Sequence, residues 1–254
     1  MNWNIPTAEL IAILLGAARA GAWMILCPPF NSRLIPGPVK ALLSVGLAMP
    51  MVPHLKTGIP SIETSDIIAS AALQVFIGAA LGFITLVLFS AVQAAGDLLD
   101  VFGGFTLAMA YDPLSQSQSS IFGRFYNLVA VTLLFASNGH QLILRGFLQT
   151  FRTLPLNASF SVGTLSDLLI SGVGEMFLAA LQIAGPLIAV LFLTDVAFGL
   201  LNRVAPALNA FQLGFPAKIF LVLTLSGTAI AILPRILSGI VERAVAAVLH
   251  LSGA

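Results

Sequence analysis

Gln93, Asp97 and Asp100 recur at i, i+4 and i+7, a spacing that lines them along one face of a helix. Two carboxylates on such a stripe are raw material for a proton relay or a metal site. Hard cations need more oxygen ligands than this, and neither a histidine nor a third carboxylate lies nearby in sequence. A solvated helix end or an inter-subunit contact is therefore the preferred reading, and catalysis is not indicated. Asp195, Gly199 and Arg203 share a second face at i, i+4 and i+8. Their charges stand about 12 Å apart along a helix axis, so each needs a partner from a neighbouring helix or another chain. Asn202, Arg203 and Asn209 flank Pro206, where they can satisfy backbone groups freed by a helix break.

Arg19 lies near the middle of the first apolar run. A central arginine costs about 2.5–3.5 kcal/mol on insertion scales, so it should face protein or water. One reading pairs it, buried, with a carboxylate of another helix or subunit. The other lets a shallow helix carry it to an interface by snorkelling. Signatures of hydrolases, zinc proteases and nucleotide-binding loops are missing, and no cofactor is called for.

A polar, proline-broken insert separates two long apolar stretches. Ala110, Tyr111, Asp112, Pro113, Leu114, Ser115, Gln116, Ser117, Gln118, Ser119 and Ser120 form it, flanked by Gly103, Gly104 and Gly123. Uncharged Gln and Ser between glycine hinges suit a movable element lying across an aqueous path. An ordinary solvent loop is the competing reading.

The elements that must position these residues are membrane helices. Of the 254 residues, 58% are hydrophobic and only 8% charged, and mean hydropathy is +1.02. Soluble chains carry about 25% charged residues. The net charge of +1 gives no reason to expect nucleic acid or an acidic partner. The single cysteine, Cys27, sits in an apolar run and His54, His140 and His250 are scattered, so neither a disulfide framework nor a metal cluster is expected. Met1 to Leu15 carry Glu9 and no Lys or Arg, so no cleavable signal peptide is expected, and Cys27 sits too deep in the sequence for a lipidation box.

About 20 apolar residues cross a hydrocarbon core. Helices are predicted over Leu10–Leu26, Ala41–His54, Ile67–Phe102, Phe122–Leu148, Leu165–Asn202 and Phe215–Leu249. The second is short and set between prolines, as a re-entrant segment would be. The third would be roughly 54 Å long if unbroken, so its polar end should leave the lipid or line a protein interior. Pro206 and Pro216 bracket an irregular joint before the last helix. No long linker appears, and a single domain over 1–254 is predicted. With six alternating crossings the loop charges tie, five (Lys56, Arg145, Arg152, Arg235, Arg243) against five (Arg33, Lys40, Arg124, Arg203, Lys218), so the positive-inside rule gives no orientation. Gly78 and Gly82 form a GxxxG pair, echoed by Gly16 with Ala20 and Ala17 with Gly21, which marks close helix packing.

The ordered set of short stretches resembles the FliR family, the export-gate component of the flagellar type III secretion apparatus, and more distantly its injectisome counterparts. The stretches are Ala18-Arg19 with Pro28 and Phe30, Phe89-Ser-Ala-Val-Gln-Ala-Ala-Gly-Asp-Leu-Leu-Asp100, Ala110-Tyr-Asp-Pro113 with Gln116, and Asn138-Gly-His140. Ala184-Gly-Pro186, Gly199-Leu-Leu-Asn-Arg-Val-Ala-Pro206, Asn209, Phe211 and Gly214-Phe-Pro216 with Lys218 complete it. The resemblance implies an all-α, polytopic subunit of a helical, hetero-oligomeric gate rather than an enzyme. It also implies FliP-type and FliQ-type partners, an FlhB-type subunit, a place within the flagellar basal-body ring at the bacterial inner membrane, and unfolded export substrates. In the family the loop matching Ala110 to Ile121 plugs the closed channel. Arg19, Gln93, Asp97, Asp100, Asp195, Arg203, Asn209 and Lys218 are expected to make inter-helix or inter-subunit contacts. Two rivals stay open on the residues alone: a secondary transporter with Asp195, Arg203 and the Gln93/Asp97 stripe as its site, and an assembly scaffold.

Overall fold

The computed structural model describes residues 6–59, 63–105, 120–157, 161–206 and 210–253. Those residues are mostly helical, without strands. Helices α1 (Thr7–Leu26), α2 (Gly37–Ala48) and the short α3 (Val52–Leu55) come first. The 40-residue α4 (Thr64–Gly103) follows, then α5 (Ile121–Ala136), α6 (Gly139–Thr153), the 43-residue α7 (Val162–Val204) and α8 (Ala210–Leu251). Five segments are long and apolar enough to cross a membrane, and α5 with α6 would add a sixth as one broken span. The chain is an all-α polytopic membrane protein.

Two differences from the sequence expectation concern breaks. The stretch 122–148 is two helices, parted at Ser137-Asn138, where Asn138 takes a left-handed φ of 59°. Asparagine tolerates that conformation better than other side chains, and the Asn138-Gly139 dipeptide is a turn signal. Pro216, expected at a joint, instead lies inside α8, as Pro234 does, and Pro186 lies inside α7. Membrane helices tolerate internal proline because neighbours and local adjustment satisfy the freed carbonyl.

The chain gathers into two compact units. The first comprises Met1–Phe89, Asn138–Val173 and Ile240–Ala254, and the second Ser90–Ser137 and Gly174–Gly239. In the first, small residues bring backbones together. A Cβ on Gly16 would stand 3.1 Å from that of Ala48 and 2.9 Å from Leu55, while one on Gly21 would meet Ser44 at 3.4 Å. On α4, a Cβ at Gly78 would strike the Arg19 carbonyl, and one at Gly82 would come within 2.8 Å of the Trp23 carbonyl oxygen. The GxxxG pair therefore seats α4 against α1. Trp23 is fully buried, stacked on Phe147 at 4.2 Å with Phe30 at 5.3 Å. Thr153 donates to the Ser252 hydroxyl at 2.8 Å, joining α6 to the C-terminal turn.

In the second unit, Gly96 allows α4 to meet α5, since a Cβ there would strike the Phe122 backbone. Helices α7 and α8 leave Phe177, Phe192, Leu193, Leu200 and Phe220 more than half exposed. Such faces demand lipid or protein neighbours.

Gly78→Ala should lower the melting temperature of the purified protein, at a cost of about 1–3 kcal/mol, because the obstruction is backbone and cannot rotate away. Gly174→Ala, where a Cβ meets nothing within 4 Å, should be neutral or stabilising. Equal effects at the two positions would show that Gly78 is not a packing contact.

Candidate functional site

The polar stripe on α4 meets the start of α5, inside the second unit. Exposure falls along it: Gln93 is exposed, Asp97 half-buried and Asp100 buried. Gln93 accepts from the Asn127 side-chain amide at 3.3 Å. The Asp97 carboxylate lies against Gly123, where any Cβ would overlap it. Asp100 Oδ2 accepts from the Ser120 hydroxyl and from the Phe122 N–H at 3.0 Å. The Ser120 hydroxyl in turn accepts from the Gly123 N–H at 2.7 Å, as the N-cap of α5. Two of the first-turn donors that a helix leaves open are thereby filled, and a carboxylate suits the positive end of the helix dipole. Asp100 Oδ1 and the Tyr126 hydroxyl are buried without a hydrogen-bond partner among the described residues. The stripe thus makes inter-helix contacts within the chain, with Gln93 at its exposed end.

The expected hinges behave differently from one another. Gly104 has φ +83°, with the Phe215 ring 3.0 Å from where its Cβ would be, and Gly103 packs on Val222 at 3.0 Å. Gly104 needs its missing side chain for both conformation and space. Gly123 lies in the first turn of α5, where the Asp97 carboxylate leaves no room for a Cβ. Phe105 packs edge-on against Phe122 at 5.2 Å. Ala110 to Ser119, the rest of the expected plug, lie outside the described residues, as does Asn209.

Arg19 is fully buried in the first unit, but its partner is not the expected carboxylate. Its Nε donates to Gln74 Oε1 at 2.6 Å, and Nη1 donates to the carbonyls of Leu154 at 2.9 Å and Thr150 at 3.3 Å. Its guanidinium carbon stands 4.8 Å from the Phe151 ring centroid. Gln74 Nε2 donates onward to the Leu156 carbonyl at 3.1 Å. The acceptors belong to the last turn of α6 and the chain after it. A helix C-terminus presents unsatisfied carbonyls and the negative end of the dipole, so it draws a cation as a carboxylate would. Periodicity could not have found this, because two of the three acceptors are backbone and the third is an uncharged glutamine.

Asp195 takes its partner from a neighbouring helix: it is ion-paired with Lys218 of α8. The pair borders a cleft of about 230 Å³ in the second unit, lined also by Phe198, Asn202, Gly214 and Phe215. Arg203 is exposed and forms no salt bridge among the described residues. The transporter reading would have Asp195, Arg203, Gln93 and Asp97 share one site. Of these only Asp195 lines the cleft, while Gln93 and Asp97 are engaged by α5.

A model of the family described as bacterial export proteins, family 1, matches residues 10–244. The flagellar biosynthetic protein FliR of Bacillus subtilis is 30% identical over 212 residues, 82% of each chain. The protein of that name from Escherichia coli is 31% identical over 199 residues, 78% of this chain and 76% of its own. That of Pectobacterium carotovorum is 30% identical over 221 residues, 85% and 83% respectively.

Arg19→Met should cost about 3 kcal/mol, because it strands the Gln74 oxygen and the Leu154 carbonyl, while the Thr150 carbonyl keeps the Leu154 N–H. The double change Arg19→Met with Gln74→Leu should melt no lower than Arg19→Met alone. Additive losses in thermal denaturation would show that the two side chains are not coupled.

Proposed function

The chain belongs to the bacterial export proteins, family 1, and on that premise we propose that it is a membrane subunit of the flagellar type III protein-export channel. It assembles with FliP-type and FliQ-type subunits in the inner membrane, within the basal body, beside an FlhB-type subunit. It conducts unfolded substrates and catalyses nothing. The observation that carries this reading is the match along about four-fifths of the length of relatives named as flagellar biosynthetic proteins. The exposed apolar faces of α7 and α8 support it, since sibling subunits can cover them. The tie among loop charges fits helices whose surroundings are partly protein.

Residues Ala110 to Ser120 act as the plug in this proposal. Gln and Ser side chains are hydrated readily when the path opens, whereas an apolar plug would adhere to its walls. The segment occludes the path at rest and is displaced as substrate enters. The driving energy comes from elsewhere, since the chain carries no nucleotide-binding signature.

Deleting Asp112 to Ser119 from the assembled complex should raise ion leakage across the membrane while the complex still forms. Unchanged conductance refutes the plug. The transporter reading predicts gradient-coupled uptake by the purified chain alone in liposomes. The export reading predicts none, with recovery dependent on co-expressed partners.

A further inference from the structure

We propose that the cleft between α7 and α8 seats the headgroup of a zwitterionic phospholipid with a primary ammonium, its phosphate on Lys218 and its ammonium on Asp195. The inference needs only the membrane embedding of these two helices and does not rest on the export or plug readings.

The depth of the site follows from the charge pattern of the helices. On α7, Glu175 and Asp195 bracket 19 uncharged residues, 176–194. That stretch is about 28 Å long, and a hydrocarbon core is about 30 Å thick. On α8, Lys218 and Arg235 bracket 16 more, 219–234. Asp195 and Lys218 are ion-paired between the helices, so the two stretches end at one level, where charge is tolerated and headgroups begin. Phe192 and Leu193 lie on the hydrocarbon side of Asp195, and Phe220 and Leu223 on that side of Lys218. All four are at least 60% exposed, and they give acyl chains a seat beside the headgroup.

The chemistry of the cleft is that of a dipole. Lys218 meets Asp195 through Oδ1, which leaves Oδ2 for a second donor and further ammonium protons for an acceptor. The pair has no net charge and favours a ligand that carries both signs. An anionic headgroup would set a surplus negative charge beside the Asp195 side chain, which is 52% exposed. Arg203, two turns beyond Asp195, is not among the walls of the cleft. The Asn202 amide carbonyl rewards an ammonium that has N–H donors over a trimethylated one, and the rings of Phe198 and Phe215 attract an organic cation. At about 230 Å³ the cleft is smaller than the roughly 300–1,000 Å³ of sites for whole small molecules. It suits a headgroup whose tails stay outside. Gly199 shares a face with Asp195 and Asn202, and a Cβ there would meet nothing within 4 Å, so its missing side chain leaves the cleft open.

Native mass spectrometry of the full chain, stripped of lipid together with any subunits that co-purify, tests the assignment. The probes are added phosphatidylethanolamine, phosphatidylcholine and phosphatidylglycerol with the same acyl chains. Gly199→Leu fills the cleft and leaves the ion pair in place, so the retention it abolishes isolates this site from lipid bound elsewhere. Gly174→Leu, outside the cleft, should retain lipid as the parent does. At the isolated site the parent should prefer phosphatidylethanolamine on the order of tenfold, the worth of one charge-assisted hydrogen bond. Asp195→Asn should lose that preference, and Lys218→Met should weaken retention of all three lipids. Equal retention of the three by the parent overturns the proposal, as does undiminished binding to Lys218→Met. A Gly199→Leu variant that binds like the parent also overturns it, and leaves the cleft to a side chain of a sibling subunit or a second copy. If Gly199→Leu does not accumulate, Asp195→Asn decides, an unchanged preference for phosphatidylethanolamine being fatal.

Discussion

A helix that ends away from water must still satisfy its open N–H and C=O groups, and this constraint organises the polar side chains of the molecule. Apolar surroundings offer no solvent partner, and each unsatisfied group costs several kcal/mol. The end of α6 is met by Arg19, whose Nη1 reaches the carbonyls of Thr150 and Leu154, while Gln74 reaches Leu156. The beginning of α5 is met by Asp100 and Ser120. In both places the charge faces backbone dipoles and not an opposite charge. Two buried charged residues, Arg19 and Asp100, are therefore spent at discontinuities, where helical hydrogen bonding fails.

The same constraint explains where glycine appears on α4. Polar clasps act over about 3 Å, and two helices can share them only if their backbones approach closely. Gly78 and Gly82 bring α4 to α1 beside Arg19, and Gly96 brings it to α5 beside Asp100. Close approach and polar closure are a joint solution. Either alone would leave a stranded dipole or a gap.

Much of this was legible in the residues. Uniform hydropathy with proline and glycine punctuation suffices to place the long helices, since the lipid-length rule needs only composition and span. The i, i+4, i+7 spacing correctly put Gln93, Asp97 and Asp100 on one face. What faces them was not legible, because Ser120 and the Phe122 amide are ordinary residues whose importance comes from being at a helix start. Arg19 was recognisable as an anomaly, but two of its three acceptors are main-chain atoms that every residue owns and the third is the uncharged Gln74. The break at Asn138 carried a signal that the predicted single helix passed over: Ser137 to Gln141 is a polar run holding the Asn138-Gly139 turn pair, and a single left-handed residue suffices to turn the chain. Pro216 misled in the opposite direction, since an internal proline in an apolar helix does not have to end it.

The Arg19 clasp also has a consequence in time. Its acceptors at Thr150 and Leu154 lie 131 and 135 residues further along the chain. A ribosome making this polypeptide finishes the first helix long before the atoms that will neutralise its cation exist. During that interval the guanidinium must keep its hydration at the edge of the bilayer or borrow another protein's dipoles. The hydrogen bonds of Arg19 to Thr150 and Leu154 therefore form only once α6 has been made.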